Sequence, residues 1–277
     1  MSDGETFTVQ FWGVRGSVAV PGPKTVRYGG NTSCLEVRCG EHLLILDAGT
    51  GVRDLGMKLA AETPIDTHIY ITHTHFDHIC GLPFFVPLFI PNNKITMWAG
   101  HLLPEYTLKQ VLTEMMMAPL FPVPPEIFQA DVQYKDFTVG EVMEPYPGVI
   151  VKSAKLNHPN QATGYRIEYG GKSICYITDT EHPEFGRDPN ILALLQGADL
   201  VIYDSMYTDA TYEKFKGFGH STWQEGVRLV TEAKAKKFVI FHHDPTHDDD
   251  MMDAIGAEAA KVLPGTVVAR EGMILSP

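Results

Sequence analysis

The segment THIYITHTHFDHICGLP, residues 67–83, decides how the rest of the chain is read. Its first half is an apolar run with β-branched and aromatic residues, which reads as a buried strand. That strand runs straight into His73, His75, Asp77 and His78. In extended chain, positions i and i+2 project to the same side, so His73 and His75 can grip one ion together. Where the chain turns into a helix, Asp77 and His78 can point to a second site. Imidazole and carboxylate groups suit a divalent metal such as zinc, and neither solvation nor packing accounts for so dense a cluster.

Upstream of the cluster, Phe7, Val9 and Phe11 alternate along a first strand, followed by an irregular Gly/Pro-rich stretch. CLEVRC (34–39) and HLLILDAG (42–49) then read as a hairpin around Gly40-Glu41 that ends in Asp47. The spacing of Val52, Leu55, Leu59 and Ala60 predicts a helix. The second half echoes the first: TGYRIEYGGKSICYITDT (163–180) is strand, Gly-Gly turn and strand, ending in Asp179. ADLVIYDS (198–205) parallels the strand before the histidines. Thr222-x-x-Glu225 reads as a capping box opening a helix with Trp223, Val227, Val230 and Ala233 on its apolar face. KKFVIFHHD (236–244) is a buried strand, and DDDMMDAIGAEAAKVL (248–263) is a last helix with acidic residues at its start. Two such halves predict two packed sheets covered by helices, in one domain over residues 1–277. The stretch 83–129, rich in Pro, Phe and Met, reads as an apolar insertion. It either covers the core or serves as lid, substrate wall or homodimer surface.

Composition narrows the function. With 22 Lys and Arg against 34 Asp and Glu, the 277-residue chain carries a net charge of −12, and no Lys/Arg cluster stands out. That balance disfavours a reader of phosphate backbones and favours a small-molecule substrate. No apolar run is long enough to span a membrane, and the polar opening MSDGETFTVQ lacks the marks of a secretory signal, so a cytoplasmic protein is expected. Cys34, Cys39, Cys80 and Cys175 form no CxxC pair and read as reduced core residues.

Three further candidates stand at the ends of expected strands: His158, Asp179 and His242. If those ends share one edge of the sandwich, they complete a site for two ions with one bridging carboxylate. Periodicity does not choose between His242 and His243.

Taken with FWGVRGSVAVPG (11–22), GGNTSCLEV (29–37), LILDAGTG (44–51), GADLVIYDSMY (197–207), GHST (219–222) and VIFHHDP (239–245), these motifs resemble the metallo-β-lactamase fold hydrolases. Within them the chain is similar to the ribonuclease Z-like phosphodiesterase branch. The resemblance implies an α/β protein, a four-layer αββα sandwich, with two divalent metal ions, zinc as a rule and manganese or iron as alternatives. It implies that His73, His75 and His158 hold one ion, that Asp77, His78 and His242 hold the other, and that Asp179 bridges them. It prefers His242 to His243 and makes Asp47 a supporting residue behind the ligands. Two departures stand out. One tight hairpin separates His158 from Asp179, leaving no room for the branch's tRNA-gripping arm, and Asp204 stands where the branch has a glutamate. With the net charge, these departures disfavour tRNA or other nucleic acid as a partner.

The expected activity is hydrolysis of a small phosphodiester, a cyclic nucleotide being one candidate, by a hydroxide bridging two metals. Asp77 serves that site as ligand and catalytic carboxylate. His220, opening the second-half helix, is the candidate proton donor, with Asp204 orienting it. A lactonase or thioesterase on the same dinuclear site is the alternative, and a metal-bound sensor is a third, non-catalytic reading.

Overall fold

The computed structural model describes residues 6–277; residues 1–5, part of the polar opening, lie outside the described residues. Strand β1 (Phe7–Gly13) buries alternate residues and pairs antiparallel with β2 (Cys34–Cys39), which turns into β3 (His42–Leu46). Helix α1 (Val52–Leu59) crosses to β4 (Asp66–Ile71), parallel to β3. A single turn, α2 (Phe76–Ile79), carries Asp77 and His78. Then come β5 (Lys94–Ala99), α3 (Leu108–Met115) and β6 (Asp131–Asp136), with β5 and β6 continuing the parallel run.

The second half opens with an antiparallel meander of β7 (Val142–Tyr146), β8 (Val149–Leu156), β9 (Ala162–Tyr169) and β10 (Lys172–Ile177). Gly170 and Gly171, at φ 57° and 75°, make the β9–β10 reversal. Positive φ at both turn residues matches the twist of the flanking strands, and glycine adopts it without steric cost. After α4 (Pro189–Leu195) come β11 (Leu200–Asp204), α5 (Asp209–Tyr212), α6 (Trp223–Glu232), β12 (Phe238–Phe241), α7 (Asp249–Val262), β13 (Val267–Val268) and β14 (Ile274–Leu275).

The strands form two seven-stranded sheets in the orders β14-β1-β2-β3-β4-β5-β6 and β13-β12-β11-β10-β9-β8-β7. Each sheet joins an antiparallel part to a run of parallel strands, so the repeat seen in the sequence is a repeat in topology. Phe11, Tyr70, Tyr165, Tyr176 and Phe241 fill the space between the sheets. On one outer face Leu55, Leu59, Phe85, Leu108 and Leu112 pack α1 and α3 against the first sheet. On the other, Leu195, Trp223, Val230, Met252 and Ile255 seat α4, α6 and α7. These four layers form one α/β domain, the metallo-β-lactamase fold.

Two local readings change. Thr222 does cap α6, accepting from Glu225 N at 3.0 Å, but the Glu225 carboxylate turns to Arg228 (2.7 Å). A buried carboxylate gains more from a cation than from one backbone amide, so only half of the capping box forms. The stretch 83–129 is not a separate insertion, since β5 within it is hydrogen-bonded between β4 and β6. Phe85, Leu88 and Met116 are fully buried, whereas Phe84, Met117 and Leu120 are exposed. Among the described residues no helix is long and apolar enough to cross a membrane, and the four cysteines are free.

Phe11 is fully buried at the centre of the layer between the sheets, 6.0 Å from the Phe241 ring. Phe11→Ala is expected to cost about 3–5 kcal/mol, because the rigid sheets cannot close the cavity left behind. Urea unfolding followed by circular dichroism checks this, and a loss below about 1 kcal/mol would mean the sheets repack there.

Candidate active site

The strands β3, β4, β8, β10, β11 and β12 all deliver polar residues just beyond or at their C-terminal ends: Asp47, His73, His158, Asp179, Asp204 and His242. Three of these leave their strands in left-handed backbone conformation, Asp47 at φ 59°, Asp179 at φ 58° and His242 at φ 60°. Such a backbone costs of order 1–3 kcal/mol per residue and persists where surrounding structure imposes it. The strain turns each side chain off the strand and into a common centre.

His158 Nε2 lies 3.0 Å from His75 Nδ1, and the rings of His73 and His75 are 4.5 Å apart. Both His73 Nε2 and His158 Nε2 are 3.7 Å from Asp179 Oδ2. On the other side, His78 Nε2 and His242 Nε2 are each 3.2 Å from Asp179 Oδ1, and 3.2 and 3.5 Å from Asp77 Oδ2. Asp179 thus offers one oxygen to each of two groups, His73–His75–His158 and Asp77–His78–His242.

The other ring nitrogens show why these atoms face inward. His78 Nδ1 donates to Asp47 Oδ2 at 2.8 Å, and His158 Nδ1 donates to the Gly219 carbonyl at 2.7 Å. Their Nε2 atoms are left to point at the centre, and buried His73 Nε2 has no hydrogen-bond partner. Burial holds His73, His75 and His158 below the usual imidazole range. Burial also acts against a charged His78, yet Asp77, Asp179 and Asp47 outweigh it and raise that group well above its ordinary value. Burial works against ionising Asp77 and Asp179 too, but the imidazoles around them hold both well below the usual carboxylate range. The centre therefore demands positive charge while presenting lone pairs, which is the chemistry of a divalent-cation site.

Supporting contacts fix this arrangement. Asp47 accepts from Thr72 N (2.8 Å), Thr72 Oγ1 (2.9 Å) and the Tyr176 hydroxyl (2.8 Å) besides His78, so its oxygens are fully engaged. Ser17 N donates to Asp77 Oδ2 at 2.8 Å. A Cβ at Gly16 would stand 2.6 Å from the His242 ring, so only glycine lets the 11–22 loop approach. His243 is turned away, its Nε2 bonded to the Ala269 carbonyl at 2.8 Å. Sequence reading missed Thr72, Ser17 and Tyr176, although Ser17 sits in the quoted 11–22 motif and Thr72 adjoins the cluster.

His220 Nδ1 lies 3.1 Å from Asp204 Oδ2 and 3.8 Å from Asp179 Oδ2. Burial disfavours its charge, but Asp204, with Asp179 and Asp77, raises it to about 9. Asp204 is itself held by Thr180 N and Met206 N, both at 3.1 Å.

Beside His73 and His75 opens a cavity of ≈ 470 Å³, lined also by His101, Tyr106, Glu114 and Asn160. Part of the 83–129 stretch therefore forms a wall of the site. His101 is buried against Thr74 Oγ1 at 3.2 Å, and nothing in the local sequence signalled it.

Residues 42–243 match the family described as beta-lactamase superfamily domain. A ribonuclease Z of Parabacteroides distasonis is 21% identical over 311 residues, covering 91% of this chain and 94% of that protein. Among solved structures, the metallo-beta-lactamase fold protein YhfI from Bacillus subtilis superposes with a TM-score of 0.74 at 18% identity, covering 98% of this chain and 100% of that one. A diphosphatase from the PhnP family gives 0.72 at 20% identity over 98% of each chain. These two likenesses carry the fold alone. The ribonuclease Z relative overturns the expectation that tRNA or other nucleic acid is disfavoured as a partner. Net charge averages the whole surface, whereas phosphate contact depends on the charge at one place on it.

The two adjacent histidines separate in solution. His242→Ala should lower the metal bound per chain, measured by elemental analysis after dialysis, while His243→Ala leaves it unchanged. The reverse pattern would place the strand end one residue out of register.

Proposed function

The chain belongs to the beta-lactamase superfamily, and from that premise we propose that the protein is a metal-dependent phosphodiesterase acting on a small phosphodiester such as a cyclic nucleotide. The observation that carries this reading is the His220–Asp204 pair set against Asp179. A phosphodiester expels a basic alkoxide that needs a proton, and a buried imidazole held protonated by a carboxylate supplies one. The ribonuclease Z relative, whose name denotes cleavage of RNA phosphodiesters, supports the same reaction class.

In this reading His73, His75 and His158 would hold one divalent ion and Asp77, His78 and His242 a second, with Asp179 turning one oxygen to each group of residues. Imidazole and carboxylate donors suit zinc. Bound there, the ions would supply Lewis acidity to phosphoryl oxygens and bring the pKa of a bound water down toward neutrality. The protein does the rest. Asp47 fixes the His78 ring and its tautomer, and the Gly219 carbonyl does the same for His158. Asp204 engages His220 Nδ1, so the proton available to a departing oxygen is the one on Nε2. Burial of His73, Asp77, His78, Asp179 and His242 shields these groups from bulk water, while the part-exposed His75 faces the cavity through which substrate would enter.

Removal of metal by a chelator should abolish turnover, and Asp179→Ala should prevent its restoration by zinc or manganese. Full activity in a metal-free preparation would end the metal-dependent reading. His220→Ala should lose about 10²–10⁴-fold in kcat on a cyclic nucleotide, whose leaving group is an alkoxide. It should lose far less on bis(p-nitrophenyl) phosphate, whose phenolate departs unaided. Equal losses would make His220 a positioning residue, and preferential turnover of lactones would move the protein to carbonyl hydrolysis.

A further inference from the structure

The loop Lys214-Phe-Lys-Gly-Phe-Gly-His220 alternates basic, aromatic and glycine residues and ends on the candidate proton donor. From His220 a chain of rings leads outward. The Tyr207 ring lies 6.0 Å from His220, Phe215 stacks on Tyr207 at 4.7 Å, and Phe218 meets Phe215 edge-on at 6.1 Å. Exposure rises along it, from 8% at His220 and 6% at Tyr207 to 37% at Phe215 and 63% at Phe218. The outermost ring is left in water on a residue two positions from His220, their Cα atoms at most about 7.6 Å apart.

The loop is also fixed in place. Glu181, two residues after Asp179, accepts from Gly217 N at 2.8 Å and Gly219 N at 2.9 Å. The next carbonyl, Gly219 O, holds the His158 ring. An exposed aromatic on a tethered loop beside a phosphodiester site has the form of a stacking platform, since a base presents a π-face of its own. Lys214 and Lys216 are exposed on the same loop in a chain whose net charge is −12, and they complement a phosphate.

We propose that residues 214–220 form a nucleoside subsite. The base stacks on Phe218, the attached phosphodiester reaches the metal centre, and Lys214 and Lys216 meet a neighbouring phosphate. This rests on the phosphodiesterase reading of the adjoining site and names its substrate class. The shared chemistry is a nucleotide, whether free or within an RNA chain.

Binding tests it without turnover. Calorimetry on the zinc-loaded full chain compares adenosine 5′-monophosphate with ribose 5-phosphate, which differ only by the base. Wild type should bind the nucleotide at least about tenfold more tightly, as base stacking on an aromatic is worth in alanine substitutions. Phe218→Ala should bring the ratio near one, and Phe218→Trp should keep it, with fold and metal content checked in both. A ratio near one in wild type, or one undiminished in Phe218→Ala, overturns the subsite. A tetra-adenylate separates the sources. Tighter binding with a salt dependence that Lys216→Glu weakens indicates an RNA chain, and affinity equal to the mononucleotide indicates a free nucleotide. Base-dependent binding with no phosphodiester turned over would leave the subsite standing and remove the hydrolytic reading, whereas turnover with no base preference would do the opposite.

Discussion

Asp179 is a carboxylate at 2% exposure with imidazoles on both sides, and a charge in that position has to be matched or expelled. His78 and His242 stand 3.2 Å from one oxygen, His73 and His158 3.7 Å from the other. The fold is arranged around meeting that requirement. It aligns the C-terminal ends of parallel strands along one edge of two packed sheets. It then accepts a left-handed backbone at Asp47, Asp179 and His242 so that the side chains turn inward. The aromatic layer of Phe11, Tyr70, Tyr165, Tyr176 and Phe241 is what holds the two edges in register.

The internal repeat shows how one local pattern yields two chemical roles. Asp47 and Asp179 each follow a strand-turn-strand unit and share nearly the same φ, 59° and 58°. Around Asp47 stand donors: the Thr72 amide and hydroxyl, the Tyr176 hydroxyl and the His78 ring. Around Asp179, besides the Thr178 hydroxyl that donates to Oδ1 at 2.7 Å, stand imidazole nitrogens facing inward. A carboxylate whose lone pairs are taken by donors orients its neighbours, and one that faces lone pairs calls for a cation. The difference lies in what the neighbouring strand ends present: Thr72, His78 and Tyr176 to Asp47, and histidines from both sheets to Asp179.

Net charge is a poor guide to the 214–220 loop. Its two lysines are lost in a balance of 22 against 34, yet Glu181 ties the loop beside Asp179 and His158. Local potential at a site depends on the few charges nearest to it, screened from the remainder over about 8–10 Å.

Short-range periodicity is legible in the chain. Alternation at Phe7, Val9 and Phe11, the two hairpins, the amphipathic helices and the two-half plan follow from neighbours within a few residues, and so does the density of ligands in His73–His78. The ends of expected strands offered His158, Asp179 and His242 as further candidates, and the resemblance assigned them their places. Tertiary structure alone decided how the side chains meet: His78 touches His242 across 164 positions, His158 meets Gly219 across 61, and Asp47 meets Tyr176 across 129. It also made β5 part of the sheet rather than of an insertion, turned His243 to Ala269, tied the 214–220 loop to Glu181, and set His101 beside the centre. Such contacts depend on how two sheets pack and twist against each other, which no spacing along one strand records.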